Sequence, residues 1–100
     1  MNNKQILIYG AYGYTGELIA RQAVAQGLKP ILSGRSAAKL QPLANELGLP
    51  AIVVSLDDQD TLVRTLQGVA VVIHCAGPFS ATAEPMMRAC IASGTHYQDI

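Results

Sequence analysis

The run Gly10-Ala11-Tyr12-Gly13-Tyr14-Thr15-Gly16 has the spacing with the most chemical content in this chain. Its glycines read G-x-x-G-x-x-G, directly after the apolar stretch Ile6-Leu7-Ile8-Tyr9 and directly before a helical pattern. A turn of this composition leaves backbone N–H groups open at the positive end of a helix, where they attract anions and phosphates above all. Gly10 is expected to allow the tight turn off the strand, Gly13 to let the backbone approach a pyrophosphate, and Gly16 to let the helix lie close to the sheet. Tyr12 and Tyr14 flank the loop and are expected to cover a bound dinucleotide, with Thr15 in the same phosphate-facing run. The competing reading is a glycine-rich turn that holds no nucleotide. The bare spacing does not exclude it, but a position between the first strand and the first helix favours the nucleotide.

A second position tests which nucleotide. An acidic residue about 20 residues beyond the glycines bonds a ribose 2′-hydroxyl and favours NAD. Here the chain has Ser33-Gly34-Arg35-Ser36 and no carboxylate until Glu46. A guanidinium at Arg35 matches a 2′-phosphate with two parallel hydrogen bonds and opposite charge, which favours NADP. Ser33 and Ser36 are expected to add hydroxyls, and Ser36 also suits the N-cap of the next helix. Against this stand a solvated surface Arg35 and a Ser36 that only caps.

Two further strand ends complete the candidate set. Asp57 is expected either to accept from an adenine amino group, with Leu56 against the ring, or to cap the following helix. The run His74-Cys75-Ala76-Gly77-Pro78-Phe79 is expected to let backbone lie along the nicotinamide ribose, with Pro78 and Phe79 shaping the pocket. Strand alternation puts His74 and Cys75 on opposite faces, so they make no obvious dyad. Cys75 reads as a small packed hydrophobe beside the cofactor, Cys90 as part of a helix core, and His96 and Tyr97 as structural. No acid, base or nucleophile set emerges, and no metal pattern.

The elements that must position these residues alternate along the chain. Strands are expected at 5–9, 29–33, 51–54, 69–75 and 95–100. Helices are expected at 14–26, from Ser36 to Gly48, at 58–67 and at 83–93. Pro42 conflicts with the second helix and predicts a kink, or a short turn and a helix that starts at Pro42. Pro85 is expected near the start of the last helix. Strands joined by crossover helices give a doubly wound α/β fold, a parallel sheet of order 3-2-1-4-5 with helices on both faces. The composition agrees: 50% of residues are hydrophobic and 14% charged, which suits a sheet covered on both sides. Residues 1–100 read as one domain. Lys and Arg balance Asp and Glu at 7 each, which leaves no electrostatic footprint for nucleic acid or an anionic membrane. Two cysteines that fit no disulfide framework predict reduced thiols and a cytoplasmic setting.

The chain resembles the NADP-binding domain of the saccharopine dehydrogenase-like family. The resemblance rests on residues 8–16, Ser33-Gly34-Arg35-Ser36, Cys75-Ala76-Gly77-Pro78-Phe79, and the run from Ala89 through Gly94-Thr95-His96-Tyr97-Gln98-Asp99 to Ile100. It implies the cofactor half of an oxidoreductase that transfers hydride between NADPH and a small molecule. It also implies a longer parent whose second domain carries the substrate contacts, this chain being expected as its N-terminal part. The fifth strand would then be an exposed edge and a place for self-association. A non-catalytic NADP-binding redox sensor related to atypical short-chain reductases stays open beside it, as does an interaction domain with a vestigial loop.

Overall fold

The computed structural model describes residues 5–75 and 79–99, and the side chains of all of these except 79–82 and 99. Five strands and four helices alternate: β1 (Gln5–Tyr9), α1 (Tyr14–Ala25), β2 (Ile31–Gly34), α2 (Ala37–Leu47), β3 (Ala51–Val53), α3 (Gln59–Thr65), β4 (Val69–His74), α4 (Phe79–Ser93) and β5 (His96–Asp99). The strands form one sheet in the order β3-β2-β1-β4-β5, with every pairing parallel. The doubly wound arrangement expected from the alternation is therefore the one observed.

Period-two alternation divides the core between the two faces of the sheet. Leu7, Tyr9, Ile31 and Val72 pack with Leu62 and Leu66 and with Met86, Ala89 and Cys90 of α4. Ile8 and Leu32 pack on the other side with Ala20 of α1 and Leu40, Leu43 and Ala44 of α2. Each fully buried leucine of this kind contributes roughly 1.5–3 kcal/mol, so losing either roof would expose several such residues at once. Arg21 ties α1 to α2 across the surface, pairing with Glu17 at 2.8 Å and with Glu46 at 2.7 Å. Those contacts hold the Glu46 carboxyl below the ordinary carboxylate range, through the hydrogen bond first and the charge second. Among the described residues no helix is long and apolar enough to cross a membrane.

At Pro42 one of the two expected alternatives is excluded, and Pro85 departs from its expected place. α2 runs from Ala37 to Leu47 as a single helix with Pro42 inside it; it neither breaks there nor starts there. Pro42 and Ala38 are both exposed, so water can reach the Ala38 carbonyl that loses its usual donor. α4 starts at Phe79, four residues before the expected Ala83, and Pro85 lies inside it rather than in its first turn. The Pro85 carbonyl accepts a hydrogen bond from Gln59 Nε2 at 3.0 Å, which joins α3 to α4.

Candidate functional site

The glycine turn sits where β1, at the centre of the sheet, hands over to α1. Gly10 has φ +81°, the left-handed region in which a side chain is strained. Its N–H and that of Ala11 both donate to the Ser33 carbonyl, at 2.8 and 3.2 Å, so the turn is bolted to β2. A Cβ at Gly16 would run into the Gly10 carbonyl oxygen and lie 2.9 Å from Ala11 Cα. That is the close helix–sheet approach expected of this position.

Gly13 is the N-cap of α1, with extended backbone and no side-chain hydrogen bond to the helix start. α2 and α3 differ: Ser36 accepts from the Lys39 N–H, and Asp58 from the Thr61 N–H. Among the described residues no side chain caps the start of α1, so the first-turn N–H groups of Tyr14, Thr15 and Gly16 gain no acceptor from the N-cap, and helix starts left open in this way attract anions. Glu17, the acidic residue of that turn, is engaged by Arg21. The Tyr14 side chain stands out at 82% exposure. A Cβ at Gly13 would lie 3.4 Å from the Gly10 oxygen, an ordinary contact, so the fold leaves room for a side chain there.

At the end of β2 the expected group divides. Arg35 is exposed, and Ser36 is half-buried and caps α2. Ser33 does not join them: it is fully buried, and its hydroxyl donates to the Ile52 carbonyl at 2.6 Å. The side chain expected to reach a phosphate instead pins β2 to β3. Tyr12 turns toward this same corner, its ring against Gly34. The Tyr9 phenol is pushed up to about 12, by burial first; Tyr12 and Asp57 raise it further and Arg35 lowers it. Tyr12, Arg35 and Asp57 thus each lie near enough to the Tyr9 phenol for their charge to act on it.

Asp57 is exposed and is not the cap of α3; Asp58 is. The Asp57 N–H donates to Ser55 Oγ at 3.2 Å, a turn that moves the cap one residue onward. The capping role expected of Asp57 therefore falls to Asp58. Leu56 packs partly buried against the core.

At the end of β4, His74 is fully buried between the rings of Tyr9, 6.0 Å away and stacked, and Tyr97, 5.8 Å away. Cys75 packs with the opposite cluster, and burial pushes its thiol up. The two face apart as alternation predicts. Cys90 is buried in α4, its thiol pushed up to about 11 by burial. Ala76, Gly77 and Pro78, expected along the nicotinamide ribose, lie outside the described residues.

Residues 6–100 match the family described as the saccharopine dehydrogenase NADP binding domain. A saccharopine dehydrogenase-like oxidoreductase from Mus musculus is 30% identical over 114 residues, which cover 95% of this chain and 27% of the relative. A trans-acting enoyl reductase from Mycobacterium leprae is 32% identical over 102 residues, covering 95% of this chain and 24% of the relative. The chain thus spans about a quarter of the length of these curated relatives. The saccharopine dehydrogenase (L-Glu forming) structure from Saccharomyces cerevisiae superposes with a TM-score of 0.84 at 23% identity, over 96% of this chain and 21% of that one; this likeness concerns the fold. With an open helix start behind a glycine turn and an arginine at the end of β2, the chain belongs to the saccharopine dehydrogenase NADP-binding domain family.

Proposed function

We propose that this chain holds NADP(H) across the carboxyl ends of β1, β2 and β4, as the cofactor-binding part of an oxidoreductase whose substrate contacts come from residues outside it. The observation that carries this reading is the uncapped start of α1 beneath the Gly10–Gly16 turn, beside two other helix starts that are capped. The N–H groups of Tyr14, Thr15 and Gly16 would hold the pyrophosphate, and Arg35 the 2′-phosphate. Ser36 lies beside Arg35, Asp57 faces the adenine side, and Tyr12 and Tyr14 flank the nucleotide. The nicotinamide supplies the hydride when bound, while the protein binds and orients it. Cys75 would line the nicotinamide side as a neutral, packed thiol.

Calorimetric titration with NADP+, NADPH, NAD+ and NADH tests this. Binding of the phosphorylated pair at least about tenfold more tightly is expected. Absence of binding by all four, or equal affinity for the two pairs, would overturn it.

The alternative is a non-catalytic NADP-binding redox sensor related to atypical short-chain reductases, to which the same cofactor site would belong. Hydride transfer by the full-length protein to carbonyl, imine or enoyl substrates separates the two. A cytoplasmic setting is proposed from the two free cysteines. Self-association along the outer edge of β5 is proposed from its place at the end of the sheet, and sedimentation of the purified chain tests it.

A further inference from the structure

The corner where β2 passes into α2 holds a second cation besides Arg35. Tyr12 reaches this corner from the glycine turn. A Cβ on Gly34 would lie 2.5 Å from Tyr12 Cε2 and 3.3 Å from Cδ2 and Cζ, so the bare backbone at Gly34 is what admits the ring. Lys39, in the first turn of α2, places its Nζ 5.9 Å from the centroid of the same ring, within cation–π range. Its own N–H donates to Ser36 Oγ, which fixes the backbone from which the ammonium extends. Among the described residues the ion pairs use Arg21 and Arg88, so neither Arg35 nor Lys39 is neutralised by a carboxylate.

A phosphate monoester at pH 7 carries a charge of about −1.5 to −2. One guanidinium balances only part of it, whereas a 2′-hydroxyl carries no charge to balance. A second cation at this corner therefore affects NADP and leaves NAD nearly indifferent. A lysine is a poor partner when its long stem is free, because binding must freeze it. An aromatic face that already holds the ammonium lowers that entropic cost.

We propose that Lys39 acts with Arg35 to select a dinucleotide bearing a 2′-phosphate, and that Tyr12 is the residue that positions Lys39. This rests on the NADP reading above and adds a residue to it.

The test is calorimetry on the chain with NADP+, NAD+, 2′,5′-ADP and 5′-AMP. The last two differ only in the 2′-phosphate. Lys39→Gln is expected to weaken NADP+ and 2′,5′-ADP about 5- to 10-fold, and NAD+ and 5′-AMP by less than about twofold. Tyr12→Leu shifts the ratio in the same direction, Tyr12→Phe keeps the ring face and the wild-type ratio, and the double variant Tyr12→Leu/Lys39→Gln loses no more than Lys39→Gln alone. The selectivity lost in Lys39→Gln shrinks as salt rises.

A wild-type ratio in Lys39→Gln overturns the role of Lys39. Additive losses in the double variant, or a changed ratio in Tyr12→Phe, overturn the positioning role of Tyr12. If Tyr12→Leu fails to fold, Lys39→Gln and Tyr12→Phe still decide. Wild-type chain that binds none of the four ligands removes the NADP reading and this inference together, whereas selective wild-type binding with an unaffected Lys39→Gln removes this inference alone.

Discussion

Gly16 of α1 lies so close to Gly10 at the end of β1 that a side chain on the first would collide with the carbonyl oxygen of the second. Glycine in a helix ordinarily costs about 0.5–1 kcal/mol relative to alanine. At this position the sign reverses. Gly16→Ala is expected to destabilise the chain by about 1–3 kcal/mol and to weaken nucleotide binding, because α1 must move away from the turn. Urea denaturation and a nucleotide titration on the same variant check both effects. A gain in stability would show that the helix gives way freely.

Gly13→Asp separates folding from binding. The backbone at Gly13 is extended, with φ −75° and ψ 169°, and a Cβ there meets only an ordinary contact. An aspartate at the N-cap supplies the acceptor that α1 lacks and is expected to raise stability by a few tenths of a kcal/mol. It also puts a negative charge where the pyrophosphate is proposed to sit, so affinity for NADP+ and NAD+ should fall together below detection. Thermal unfolding and calorimetry should move in opposite directions.

Arg35→Ala addresses the other end of the nucleotide. Removing a charge-assisted bidentate partner is expected to weaken NADP+ binding by about 1.5–3 kcal/mol while sparing NAD+. An equal loss for both cofactors in a titration would sink the 2′-phosphate assignment.

Ser33→Ala is the contrasting case. The Ser33 hydroxyl is spent on the Ile52 carbonyl, away from solvent. Its loss is expected to cost about 1–2 kcal/mol of stability and to leave the NADP+ to NAD+ affinity ratio unchanged. Chemical denaturation and the same titration give both numbers, and a selective loss of NADP+ affinity would return Ser33 to the phosphate site.

Tyr9 predicts an alkaline dependence. Its hydroxyl donates to the Val54 carbonyl at 2.8 Å, and its phenol stands at about 12 against an ordinary 10.0. As pH rises, the unfolded chain releases this proton first. The stability the neutral buried phenol contributes is therefore whole below pH 10 and is lost progressively from there to about pH 12. Tyr9→Phe removes the hydrogen bond, costing about 1 kcal/mol near pH 8, and removes this titration. Denaturation curves from pH 8 to 12 should show wild type losing its advantage over Tyr9→Phe above pH 10. A constant gap would refute it.

The sheet order was legible because each of the first four strands lies in a short apolar run followed by a helix pattern, and parallel crossovers leave little choice of topology. Ser36 was legible as a cap for the same local reason. Boundaries set by a single residue were not. Asp57 and Asp58 have the same side chain, and only the Ser55 turn decides that the second one caps α3. Pro85 reads as a helix start, yet α4 extends before it, since proline's preference for a first turn is a tendency that surrounding packing overrides. Ser33 shows the limit of alternation: it separates two faces of β2 but does not say that a carbonyl of β3 waits for this hydroxyl.

By itself the sequence determined what is local and chemical. It set the glycine turn before α1, the arginine in place of a carboxylate after β2, and the alternation that sends His74 and Cys75 to opposite faces. Only the tertiary structure decided which of these groups remain open to a ligand. It buried Ser33, left the start of α1 without a cap, and brought Lys39 to the Tyr12 ring over Gly34. The reason is physical. Turn chemistry and charge reside in single residues, whereas contacts between distant residues depend on how closely helices pack on the sheet, and that is set by the whole core at once.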